Sequence, residues 1–103
     1  MERFTHTAAL WRWSGGNGGS WFFLTIDGEA GEALCATALM RRLELGQSRG
    51  FGAIKVTALI GDSRWSTSVF PAKDGGYMLP VKAAVRRAEQ IGEGDEVAIT
   101  LEF

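Results

Sequence analysis

Two stretches, "AIKVTALI" at 53–60 and "EVAITLEF" at 96–103, place an apolar residue at every second position. That period is the mark of a half-buried strand. Each stretch closes a longer run that reads strand, strand, helix, strand, so the chain spells β-β-α-β twice. The agreement extends beyond order. "GGSW" (18–21) opens the second strand of the first run, and "DGGY" (74–77) opens the second strand of the second. Turn glycines recur in many chains, but shared order and register together point to an internal duplication. Each half has a sheet face too small to bury alone. Two copies related by a pseudo-two-fold axis can pair their strands into one closed or nearly closed barrel, which removes exposed sheet edges. The expected fold is mainly β with two helices: a β-pseudobarrel from two β-β-α-β halves, capped by the helices.

The first strand is read over "FTHTAALWRW" (4–13), with Phe4, His6, Ala8, Leu10 and Arg12 on one face and Thr5, Thr7, Ala9, Trp11 and Trp13 on the other. "SGGNGGS" (14–20) is too glycine-rich for regular structure and reads as a flexible hairpin connection. "WFFLTID" (21–27) is apolar on both faces, as in a central or covered strand. A helix is predicted from about Glu29 to Leu45. Glu29 and Glu32 lie early in it and Arg41 and Arg42 late, which suits the helix dipole. Leu34, Ala38 and Met40 or Arg41 fall near helical spacing, and Leu39 and Leu43 extend that apolar side.

"FGAIKVTALIG" (51–61) and "RWSTSVF" (64–70) are strands, the second with Trp65, Thr67 and Val69 on one face. "PAKDGG" (71–76) is a turn and "YML" a short strand. The second helix is predicted from about Pro80 to Ile91. Proline suits the first helical position, Val81, Ala84, Val85, Ala88 and Ile91 form an apolar stripe, and Gly92 supplies the stop.

A chain of 103 residues supports one domain, 1–103, and buries roughly 65% of its unfolded surface without staples. Its net charge of −1 speaks against a generic polyanion-coating protein, whose domains are basic. Cys35 is the only cysteine, so no intrachain disulfide is expected; it reads as a small buried hydrophobe. The charged, alternating N-terminus is no signal peptide, and no run approaches a transmembrane length. The expected setting is cytoplasmic, with no membrane contact.

From Trp21 to Phe103 the chain resembles the domain of unknown function 1905 family, short bacterial domains also found joined to a bacteriocin-protection-type domain. The residues that carry the resemblance are "FGAIKVTALIG", the tryptophan of "RWSTSVFP", "GGYMLPVKAAVRRAEQIGEGD" and the closing "VAITLEF". The second half matches almost end to end, the first more in element order than in letters. Asp27 stands where relatives often have a proline. The resemblance implies a double-split β-barrel. It implies no established activity and no catalytic residues. The chain ends as its last strand ends, so no joined partner domain is expected.

Candidate sites follow from side-chain placement. On a helix Lys82 and Arg86 stand one turn apart, with Glu89 on the same flank. The reading preferred for the pair is a solvated flank with Glu89 partly neutralising Arg86; the functional alternative is an anion site, two cations near a helix start. Trp11, Trp13, Trp21 and Trp65 are many for this length. They fit either bulky core filler, the reading preferred here, or an aromatic pocket for a flat or sugar-like ligand. "SGGNGGS" lacks the lysine and following helix of a phosphate loop. His6 is the only histidine, which leaves no metal set, and no nucleophile elbow accompanies it. No catalytic residue, metal or cofactor is assigned.

The leading expectation is a non-enzymatic binding module. Its pocket lies between the second helix and the "RWSTSVF" strand, with Lys82, Arg86, Arg64, Trp65 and Tyr77 as ligand-binding residues. Its ligand is a small anion, a peptide segment or an acidic protein partner. A nucleic-acid-binding regulator, by analogy with related barrels, ranks below it, because cations cluster only at "MRR" and "VRR". A small enzyme of unknown reaction ranks last.

Overall fold

The first predicted strand is two strands. β1 (Arg3–Ala9) and β2 (Trp11–Ser14) are separated by Leu10 alone. Leu10 is 1% exposed, its N–H donates to the Asp95 carbonyl (2.9 Å) and its carbonyl accepts from the Gly94 N–H (2.8 Å). These bonds leave the ladder at Leu10, and there the chain bends. The computed structural model describes residues 2–15, 18–45 and 52–103, with the backbone alone for Arg42, Glu44 and Leu45. The middle of the expected glycine-rich hairpin, 16–17, and the side chain of Arg42 in "MRR" lie outside the described residues.

The remaining elements are β3 (Ser20–Ile26), α1 (Gly28–Leu45), β4 (Ile54–Ile60), β5 (Ser63–Pro71), β6 (Tyr77–Pro80), α2 (Ala83–Glu89) and β7 (Glu96–Glu102). The protein is mainly β: seven antiparallel strands in the order β1-β7-β4-β5-β6-β3-β2, plus two helices. The two edge strands are consecutive in the chain, so the sheet curls until its edges approach at Leu10. His6 spans this curl, with Nε2 3.0 Å from the Thr25 carbonyl of β3.

The pairings have a regularity. If β1 and β2 are taken as one bent strand, its pairing with β7 answers that of β5 with β4. Its pairing with β3 answers that of β5 with β6. β3 with β6 and β4 with β7 join strands at equivalent places in the two runs. β5 therefore does in one strand what β1 and β2 do in two.

Inward positions of the curl form the core. Leu24, Ile26, Val69, Leu79, Ile99 and Leu101 are sealed from solvent, and Ile54, Val56, Ala58 and Ile60 alternate inward along β4 as their spacing requires. Each large aliphatic side chain buried this way contributes about 1.5–3 kcal/mol. Phe4 and Phe103 stack at 5.6 Å between centroids beside the β1–β7 pair.

The helices depart from expectation in phase. On α1, Ala30 and Leu34, one turn apart, are buried. Cys35 follows Leu34 by about 100° around the helix, so it is exposed rather than a buried hydrophobe. Leu39 (54% exposed) and Leu43 (69%) likewise point away from the core. The second helix is shorter than expected. The Val81 N–H donates to the Phe22 carbonyl (2.9 Å), so the sheet extends past Pro80, which ends β6 instead of starting a helix. Lys82 is the N-cap, and the helix stops at Gln90, whose φ of 56° places it in the left-handed region before Gly92 is reached. With the start delayed, Val85 is the buried residue of α2, while Ala84 and Ala88 face solvent. Pro71 also extends a strand, pairing with Tyr77, and the turn is confined to 72–76.

Candidate functional site

Where β6 passes into α2, the chain leaves a groove of about 350 Å³ against β3 and β5. Ser20, Trp21 and Phe22 form one wall and Trp65, Ser66 and Thr67 another. Val81, Lys82 and Arg86 close it from the α2 side. On the β5 wall Trp65 turns inward at 8% exposure, and Ser66 and Thr67 complete the lining.

Arg86 is held before any ligand arrives. Its Nε donates to the Val81 carbonyl (3.2 Å), and its guanidinium carbon lies 3.9 Å over the Phe22 ring centre. A cation–π contact of this kind is worth about 0.5–2 kcal/mol, depending on desolvation. Lys82 is exposed and forms no ion pair among the described residues. Among the described residues no ion pair joins Glu89 to Arg86. The Glu89 carboxylate accepts from Ser63 Oγ at 2.6 Å, which ties α2 to the β4–β5 turn. Among the described residues no carboxylate lines the groove. At its edge, Arg12 donates from Nε and Nη2 to Ser20 Oγ (3.0 and 2.9 Å), which brings a third cation alongside. α2 spans only seven residues, so the positive charge at the groove is that of these side chains and not of a long helix dipole.

Of the five residues expected to bind ligand, three meet at this groove: Lys82, Arg86 and Trp65. Arg64 does not. It directly precedes Trp65 on a strand, so the two point to opposite faces, and its Nη2 lies 3.2 Å from Glu102 Oε1. The same carboxylate holds Arg3 Nε at 3.5 Å. Tyr77 sits at the far end of β6 from Pro80, 7% exposed, beside a separate cavity with Asp27, Glu32 and Cys35. Phe22, Ser20 and Arg12 were missed. Register would have found them, since Arg12 pairs with Phe22 and Ser14 with Ser20 across β2–β3.

The tryptophans also separate. Trp65 is core, but Trp13 (50% exposed) and Trp21 (58%) lie on the outer side of the sheet, and with Trp11, Phe23 and Met78 they line a cavity of about 290 Å³. The core-filler reading fails for these three because inward positions of β3 are already taken by Leu24 and Ile26. Among the described residues no group of three or more His, Cys, Asp or Glu is placed to hold a metal ion, and no helix is long and apolar enough to cross a membrane.

Fold and groove together define a small, mainly β domain with a cation-lined surface groove over an aromatic base. The chain belongs to the family described as Domain of unknown function (DUF1905), whose model matches residues 6–101. A search of curated proteins finds none that matches it.

Proposed function

We propose that residues 1–103 act as a non-enzymatic binding module that holds an anionic group in the groove between α2 and β5. The group belongs to a small anion, a peptide segment or an acidic protein partner. One observation carries this reading: Lys82 and Arg86 line one groove in which, among the described residues, no carboxylate neutralises them. Unmatched like charges around a concavity cost stability unless a counter-charge joins them. Arg86 is also braced by Phe22 and Val81, so little side-chain entropy remains to be lost on binding.

The exchange-invariant strand pairings support an internal duplication, and with the curl at Leu10 they support a double-split pseudobarrel with the helices at its ends. The family resemblance supports a bacterial setting. A nucleic-acid-binding regulator ranks below the module, because Arg3 and Arg64 share Glu102 instead of forming a bare basic face. An enzyme ranks last, since among the described residues the groove's polar groups include no acid–base pair.

The test is a thermal-shift titration with sulfate, phosphate and carboxylate anions at fixed ionic strength, which separates binding from screening. Anions should stabilise the protein, and Lys82→Ala combined with Arg86→Ala should remove that response. Equal responses in both proteins would dismiss the groove as an anion site.

A further inference from the structure

We propose that the groove and the aromatic face beside it form one site for a mononucleotide-class ligand, a planar heterocycle carrying a phosphate. The inference rests on the groove reading above and names its ligand class. Its basis is Trp21, which lines both cavities: the cationic groove with Lys82 and Arg86, and the aromatic one with Trp11, Trp13, Phe23 and Met78.

The aromatic face is organised. The Trp11 indole N–H donates to Thr25 Oγ1 (2.9 Å), and its ring sits 5.0 Å from Phe23. These two make a fixed floor. Trp13 and Trp21 are register partners across β2–β3 and stand half exposed beside it. Half-exposed neighbouring indoles on a sheet face mark an interaction surface more than a packing accident.

Its occupant can be narrowed. A second copy of the chain would need roughly 800 Å² per partner. Trp13, Trp21 and the nearby Phe70, at 50%, 58% and 39% exposure, offer roughly 300–400 Å² on the usual size of aromatic side chains. A sugar needs several donors and acceptors around its ring, and among the described residues this cavity is lined by aromatic rings and a thioether whose only polar side-chain groups are indole N–H donors, that of Trp11 already spent on Thr25. A flat heterocycle needs only ring faces, which stack on any nucleobase. The cations on the other side of Trp21 then select a ring that carries negative charge, with Lys82 and Arg86 taking the phosphate. Two cations in one groove match a single phosphate better than the extended backbone of a strand, which a longer positive track would follow.

Isothermal titration on the full chain, at fixed ionic strength, would use adenosine monophosphate, adenosine and inorganic phosphate as probes. Wild type should bind the nucleotide about tenfold or more tightly than either fragment. Trp13→Ala, which lines the aromatic cavity but not the groove, should reduce nucleotide affinity toward that of phosphate and leave phosphate binding unchanged, while Trp13→Phe should keep most of it. Lys82→Ala with Arg86→Ala should reduce nucleotide affinity to that of adenosine. Melting curves of each variant establish that it is folded, which the exposure of Trp13 and Lys82 favours. Equal affinity for nucleotide and phosphate in wild type would overturn the aromatic half and leave the anion groove standing. Equal affinity for nucleotide and adenosine would overturn the role of the cations, and with it the groove reading. Binding of none of the three would overturn both. An eight-residue single-stranded oligonucleotide that binds more than tenfold tighter than the mononucleotide would overturn the ligand class in favour of a strand.

Discussion

The Arg86 guanidinium carbon lies over the Phe22 ring, 3.9 Å from its centre, so a residue of β3 sets the direction in which a cation of α2 points. Charge alone does not reproduce this arrangement. Arg86→Lys keeps the charge but loses the planar fork and the stacking. Stabilisation by sulfate or phosphate should fall to less than half of the wild-type shift in a thermal titration. Phe22→Leu should lower it too, with a stability cost beyond the lost contact because Phe22 also packs against the core. Full retention of the anion response in Arg86→Lys would mean that only net charge matters.

Val85 is 4% exposed and is the buried residue of α2. Val85→Asp would bury a carboxylate with no partner, at a cost of roughly 3 kcal/mol or more. Urea denaturation should show a large drop in midpoint with little change in slope. An unchanged midpoint would mean that the helix face is misassigned.

Gly61 has a φ of 55°, and a Cβ there would fall on the Glu89 carboxylate that Ser63 binds. Gly61→Ala should therefore cost more than the about 1–2 kcal/mol of left-handed backbone alone. In a Glu89→Ala background the steric part vanishes, and the penalty should shrink toward the backbone value. An identical penalty in both backgrounds would show that the carboxylate simply swings aside.

A fragment of residues 1–60 should not fold. It would keep β2 with β3 but lose every strand that pairs with β1, and β4 would lose both its neighbours. Isolated strand pairs are marginal in water. A cooperative thermal transition in this fragment would contradict the shared sheet.

Local pattern revealed the strands well, because period-two burial is written directly into Ile54, Val56, Ala58 and Ile60 and into Val97, Ile99 and Leu101. It failed where a backbone bond outside the element decides the outcome. Pro80 looks like a helix start, but the Val81–Phe22 bond keeps that segment in the sheet. Leu10 looks like one more strand residue until its bonds to Gly94 and Asp95 are known. The site was legible in part. Lys82, Arg86 and Trp65 could be grouped from the β5 and α2 sequences, whereas pairing Arg64 with Trp65 ignored the alternation that separates them. That Trp11 and Trp13 share a face was readable; that the face lies outside the curl depends on the curl itself.

The bent first strand has a consequence for the order of events during synthesis. Arg3 pairs with Glu102 and Ala9 with Glu96, so contacts of nearly maximal sequence separation complete the sheet. Closing so large a loop must be offset before those contacts form, and topologies of this kind fold slowly. On the ribosome, β1 has no hydrogen-bonding neighbour until β7 has been made. Until then the nascent chain presents an unpaired strand edge, the state in which chaperone engagement matters most.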